Sequence, residues 1–232
     1  MYIYLLKKQY LYMHIIIYAR LASKRIKNKP LIVLKNNKRL IDHVISDAKK
    51  IVKKDNIILA TSFKKEDEVF KKIAKKNSIN FFAGSVNNLI KRTYDCCKKF
   101  EVKYFLRYCA DRPIVSKSLI KNTIKKINKK NTYYDLYSTN FNTKIDQGLT
   151  VEIFNFQCIK KIYKSKLTKK EKEHMANFIY NNKKNFIVNQ IKFPKNLSKK
   201  NKYSLDTLDD LKKINKMLDL YNTKKESLIF KG

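Results

Sequence analysis

Four polar side chains follow one apolar run closely enough to surround a single anion. In "HIIIYARLASKRIKNKP" (14–30) the run 14–18 leads into Arg20, Ser23, Arg25 and Lys29. Two guanidiniums, a hydroxyl, an ammonium and the backbone N–H groups between them are the donors a triphosphate takes. Each charge-assisted hydrogen bond of that kind is worth roughly 1.5–3 kcal/mol. A solvated basic turn is the other reading of the same residues. The stretch carries no glycine, so it is neither a Walker loop nor a dinucleotide-binding fingerprint, both of which need glycines here.

The composition says which residues carry information. Of 232 residues, 54 are Lys or Arg and 19 are Asp or Glu, a formal net charge of +35. Such a balance raises nucleic acid or an acidic membrane as a partner. The lysines, however, are spread over nearly every segment, in short runs such as "KKINKKN" and "KNLSKKNK", with no long basic arm. Lys, Asn, Ile, Tyr and Phe share A/T-rich codons, and a base bias alone produces this mixture. Against it the scarce residues stand out: Gly84, Gly148 and Gly232, Pro30, Pro113 and Pro194, and six arginines that include Arg20, Arg25, Arg92, Arg107 and Arg112. An arginine kept where lysine would serve suggests a planar, bidentate donor, and a kept glycine suggests a backbone position without room for a side chain. Cys96, Cys97, Cys109 and Cys158 form no C-x-x-C pair. They read as reduced, buried small hydrophobes of a cytoplasmic protein.

A composition 44% hydrophobic and 12% aromatic is globular, and the length suits one large domain. The apolar N-terminus is broken by Lys7, Lys8 and Gln9 and is too short for the roughly 20 apolar residues of a membrane span. Residues 1–12 read as an N-terminal extension, either dispensable or upstream of the true start, and 13–232 as a single domain. Along it, strands are expected at 14–18, "NIILATS", "INFFAG", "VKYFLRY", "YYDLYS", "LTVEIF" and "NFIVNQIKF". Helices are expected at 40–54, 65–77, 86–99, 116–128, 155–165 and 169–181, and in an amphipathic stretch capped by Asp206 or Thr207. The β-α-β-α succession predicts an α/β fold, a three-layer sandwich around a parallel-cored sheet. Ligands of such sheets sit beyond the carboxyl ends of the strands. There the chain places "ARLASKR", "TS", "AGS" and "CADRP", three of which hold a scarce residue and suggest a polyanionic ligand.

"IIIYARLASKRIKNKPL" resembles the opening of the cytidylyltransferases that activate sugar acids as CMP-sugars, a strand followed by a pattern near A-R-x-x-S-x-R-L-P-G-K. The similarity continues in order through "ATS" (60–62), "GSVNNLIKR" (84–92), "RYCADRP" (107–113), "QGLTVEIF" (147–154), "EKEH" (171–174) and "SLDTLDDL" (204–211). The branch named for spore-coat polysaccharide biosynthesis protein F is the most similar, beside the acylneuraminate and 3-deoxy-manno-octulosonate enzymes. The chain departs from the pattern at Lys27-Asn28, where the family has P-G, and at Ala22, where it often has glycine. "DTLDD" stands for the family's "DTPED", and "ADRP" for "GDCP".

The resemblance implies a Rossmann-like nucleotide-diphospho-sugar transferase fold, with a mostly parallel mixed sheet and helices on both faces. It also implies transfer of CMP from CTP to a nonulosonic or ulosonic acid, with release of pyrophosphate and help from Mg²⁺, in surface polysaccharide or flagellin glycan synthesis. Asp111 and Asp206 would be the metal pair, and Arg20, Lys29 and Asp111 would act on the reacting phosphates. Leu21, Ala22, Ser23, Arg25, Gly84, Ser85 and Arg92 would line the nucleotide. Arg107, Glu152 and His174 would lie near the sugar, and the protein would be a homodimer without nucleic-acid or membrane partners. From the residues alone, plainer readings stand beside these: a loop acid for Asp111, a helix cap for Asp206 or Ser85, a strand-end ion pair for Arg107 and a packed or exposed helical histidine for His174. Two other functions remain in view, a basic nucleic-acid-binding protein without catalysis and a same-fold nucleotidyltransferase of other specificity. The first lacks Trp and any recognition motif.

Overall fold

The computed structural model describes residues 13–22, 25–35, 37–130, 132–141, 145–192 and 202–222. The extension expected over residues 1–12 lies outside them. Strands β1 (Met13–Tyr18), β2 (Ile57–Ser62), β3 (Asn80–Gly84), β4 (Tyr104–Cys109), β5 (Leu136–Ser138), β6 (Glu152–Asn155) and β7 (Val188–Gln190) form one sheet in the order β3-β2-β1-β4-β6-β5-β7. Only β6 runs against its neighbours, so the sheet is mixed with a parallel core.

Alternation along β1 builds two cores. Ile15 and Ile17 face one side of the sheet and Ile16 and Tyr18 the other. Full burial of an isoleucine side chain is worth roughly 1.5–3 kcal/mol, and Ile15, Ile16 and Ile17 are all fully buried. The first face is covered by α1 (Leu40–Lys49), α2 (Val69–Lys76), later α4 (Lys117–Lys130) and α8 (Leu208–Asn222). The second is covered by α3 (Leu89–Lys99), α5 (Phe156–Tyr163) and α7 (Met175–Asn181), with the short α6 (Lys169–Glu173) leading into α7. This is the three-layer α/β arrangement the alternating pattern predicts.

Several expected boundaries move. The helix expected over 40–54 stops at Lys49, because Lys50 and Ile51 donate to Asp47 and Ala48 carbonyls three residues back and tighten the last turn. Helix α3 starts at Leu89, capped by the Asn88 side chain on the Lys91 amide (2.9 Å), so Ser85 is not its cap. The helix expected over 169–181 breaks at His174, whose φ of −130° and ψ of 81° lie outside the helical region. Three of the cysteines are buried as expected; Cys109 instead ends β4 half-buried. Among the described residues no helix is long and apolar enough to cross a membrane.

Candidate functional site

The loops after β1 and β4 meet at the carboxyl end of the sheet. The Ala110 amide donates to Tyr18 O (3.0 Å), and the Leu205 amide donates to Asp111 O (2.9 Å). These two bonds join the end of β1 to the loop carrying Asp111, and that loop to the segment before α8. Lys29 Nζ lies 2.8 Å from Asp206 Oδ1 and 3.7 Å from Asp111 Oδ2. One buried ammonium therefore joins two carboxylates that are far apart in sequence. Arg25 Nη2 reaches the same Asp206 oxygen at 2.7 Å. The other oxygen accepts from Gln147 Nε2 (3.0 Å) and lies 3.3 Å from Lys202 Nζ. Burial works against the Asp206 carboxylate, yet Lys29 and Lys202 hold its carboxyl below the ordinary value.

Asp206 is available for this role because its neighbour caps the helix. The Asp210 amide donates to Thr207 Oγ1 (3.2 Å), and Asp210 Oδ2 accepts from the Thr207 and Asp206 amides (2.8 and 2.9 Å). That reciprocal pair is a capping box with an aspartate as its acid. Burial raises the Asp210 carboxyl, but Lys202 and the two amides outweigh it and bring it down to about 2. The folded value lies below the unfolded one, so this stabilisation is complete above about pH 4 and lost as the pH falls toward 2. Asp210→Asn should remove on the order of 2 kcal/mol at neutral pH and make stability less steep between pH 4 and 2. Urea midpoints across that range read it, and an unchanged slope would contradict the assignment.

The loop after β1 is tied down by an acid the sequence did not single out. Asp67, fully buried, accepts from the Leu21 amide at 2.8 Å and from the Ser62 hydroxyl. Leu21 is thus held through its backbone, while Arg20 and Ala22 stay exposed beside it. Ser23, expected at the nucleotide, lies outside the described residues. Arg92 is buried and spends Nε and Nη2 on the Ser85 carbonyl (2.9 and 2.7 Å), which fixes the loop after β3. Gly84 makes room for it: a Cβ there would lie 2.8 Å from Arg92 Cγ.

A cleft of about 300 Å³ opens beside the Asp111–Asp206 pair. Arg25, Asp111 and Asp206 line one end, and Arg107, Glu152 and His174 line it as well. Arg107 Nη1 bonds Glu152 Oε2 at 2.7 Å across β4 and β6, the strand-end ion pair that the sequence left open. His174 reaches the cleft from the break between α6 and α7. Sequence reasoning missed Asp67, Lys202 and the role of Gln147. The scarcity of acids could have marked Asp67; nothing distinguishes Lys202 among 54 basic residues.

The fold has counterparts among known proteins. Residues 14–230 match the model of the cytidylyltransferase family. An uncharacterised protein of Methanocaldococcus jannaschii is 32% identical over 211 residues, covering 89% of this chain and 84% of that one. A cytidylyltransferase structure from Leptospira borgpetersenii superposes with a TM-score of 0.81 at 20% identity, over 96% of this chain and 98% of that one. CMP:2-keto-3-deoxy-manno-octonic acid synthetase, solved with CTP, superposes with a TM-score of 0.65 at 12% identity, over 90% and 99%. A family match that runs from the first core strand past the capped helix carrying Asp210 makes this chain a member of the cytidylyltransferase family.

Proposed function

We propose that the chain transfers CMP from CTP to a hydroxyl of an acidic sugar. The sugar oxygen bonds to the α-phosphorus, the bond to the bridging oxygen of the β-phosphate breaks, and pyrophosphate leaves. The observation that carries this reading is the convergence of Asp111 and Asp206 on Lys29 where β1 and β4 end. Among the described residues no three acidic, His or Cys side chains gather into a self-sufficient metal site. A pair of carboxylates fits magnesium, which takes one or two of them and completes its shell with phosphate oxygens and water. Asp111 and Asp206 are the residues that would hold it, and it would supply positive charge against the reacting phosphates.

The chain's own cations do the rest. Arg25, 62% exposed at its side chain, can turn from Asp206 to a phosphate. Lys29 is buried and held in place by Asp206, so it presents a fixed charge. Preorganised charge of this kind costs no rearrangement when the α-phosphate becomes more negative. Arg20, exposed at the loop's start, stands ready for the outer phosphates. Catalysis then rests on positioning and charge stabilisation rather than on covalent chemistry of the protein.

A pyrophosphate-release screen crossing four nucleoside triphosphates with a set of sugar acids tests the reading. Release should require CTP, a divalent cation and one class of acid. No release with any pairing would overturn it.

A further inference from the structure

Two of the arginines around the cleft are paired with carboxylates. Of the three arginines that line it, Arg25 meets Asp206 at 2.7 Å and Arg107 meets Glu152 at 2.7 Å. Arg112 is different. Its Nη1 donates to the Thr150 carbonyl at 3.1 Å, and among the described residues it has no carboxylate partner. The anchor is a neutral backbone oxygen, so it orients the guanidinium without cancelling its charge. The remaining N–H groups stay available, half-buried, one residue beyond Asp111.

We propose that Arg112 is the carboxylate-binding residue of the acceptor subsite and thereby selects acidic over neutral sugars; this rests on the CMP-transfer reading above. A guanidinium is the group suited to hold a carboxylate through two parallel hydrogen bonds. This chain uses arginine sparingly, six among 54 basic residues, so its placement here is not generic charge. Arg107 cannot serve equally, because Glu152 already neutralises it and would repel an incoming acid. The neutral polar groups of Asn140, Asn177 and Tyr180 line the same cleft and suit hydroxyls. Position also matters: a carboxylate on Arg112 places the rest of the sugar beside Asp111, where the α-phosphate would lie.

The test uses the full chain with CTP and Mg²⁺. Acceptors are acylneuraminate and 3-deoxy-manno-octulosonate, each beside its neutral methyl ester. The wild type should prefer the acid, and Arg112→Gln should lower kcat/KM for it roughly 10- to 100-fold, the loss expected of a charge-assisted pair. Turnover of the ester and the KM for CTP should stay unchanged, and Arg112→Lys should recover part of the loss. A merely structural role would lower acid and ester together. That outcome, or a wild type that accepts ester as well as acid, overturns the proposal and leaves CMP transfer standing. No CTP turnover with any acceptor overturns both.

Discussion

Asp111→Asn should lower CTP-dependent turnover by at least about a hundredfold while leaving the protein folded. The substitution keeps the shape of the side chain and removes its charge. Structurally little depends on that charge: the side chain is 35% exposed, and Lys29 stands 3.7 Å away, beyond a direct hydrogen bond. An ion pair of that kind contributes within about 1 kcal/mol. The backbone bond from Leu205 to Asp111 O is untouched by the change. Asp206 is the contrasting case, because it compensates the buried Lys29 and its loss would disturb the fold as well as the chemistry. Thermal denaturation beside steady-state kinetics separates the two. Full turnover in Asp111→Asn, or an unfolded variant, would contradict the role assigned to this acid.

Gly148→Ala is expected to be the most damaging small change to the fold. Gly148 has φ of +102°, a conformation that L side chains rarely adopt. An added Cβ would lie 2.5 Å from Tyr203 C and 2.6 Å from Ser204 N. Both are backbone atoms of another segment, so no side chain can turn aside. The same contact is closed by the Tyr203 amide on Gln147 O at 2.7 Å. Forcing it open would part Gln147 from Asp206 and loosen the entry to α8. The strain and the clash together should cost about 3 kcal/mol or more. Urea denaturation reads the loss, and CTP affinity should fall with it. A wild-type midpoint would show that the segment is not fixed as described.

The parts of this molecule that the sequence revealed are the ones set by local pattern. The runs around Ile15–Ile17 and Ile57–Leu59 are fully buried strands, and a continuous apolar run reads as one from sequence. The strand expected from Leu149 begins only at Glu152, because Gln147 and Gly148 are held against 203–204. That restraint comes from another part of the chain. The break at His174 has no glycine or proline to announce it, so the helical period runs straight through. By contrast the capping box of Thr168 and Glu171 rests on a purely local T-x-x-E spacing.

The site divides in the same way. Lys29 and Asp206 were named separately, but their 2.8 Å contact spans 177 positions and has no local signature. Asp67 sits in "KKEDEV", which looks like a solvated face, and only the fold turns it toward Ser62 and Leu21. Of the two cap candidates before α8, the hydrogen bonds select Thr207 and leave Asp206 to the cations. Arg112 stood out in sequence only as a scarce residue. Its significance came from finding the other cleft arginines already paired.

The central claim is that the carboxylates joined by Lys29 direct attack on the α-phosphate of CTP. Following CTP labelled in turn at the α- and γ-phosphorus, with Mg²⁺ and the acceptor acids, tests it most directly. The α-label should appear in a CMP-sugar and the γ-label in pyrophosphate. A γ-label released as orthophosphate, or an α-label that remains in CTP with every acceptor, would contradict the account.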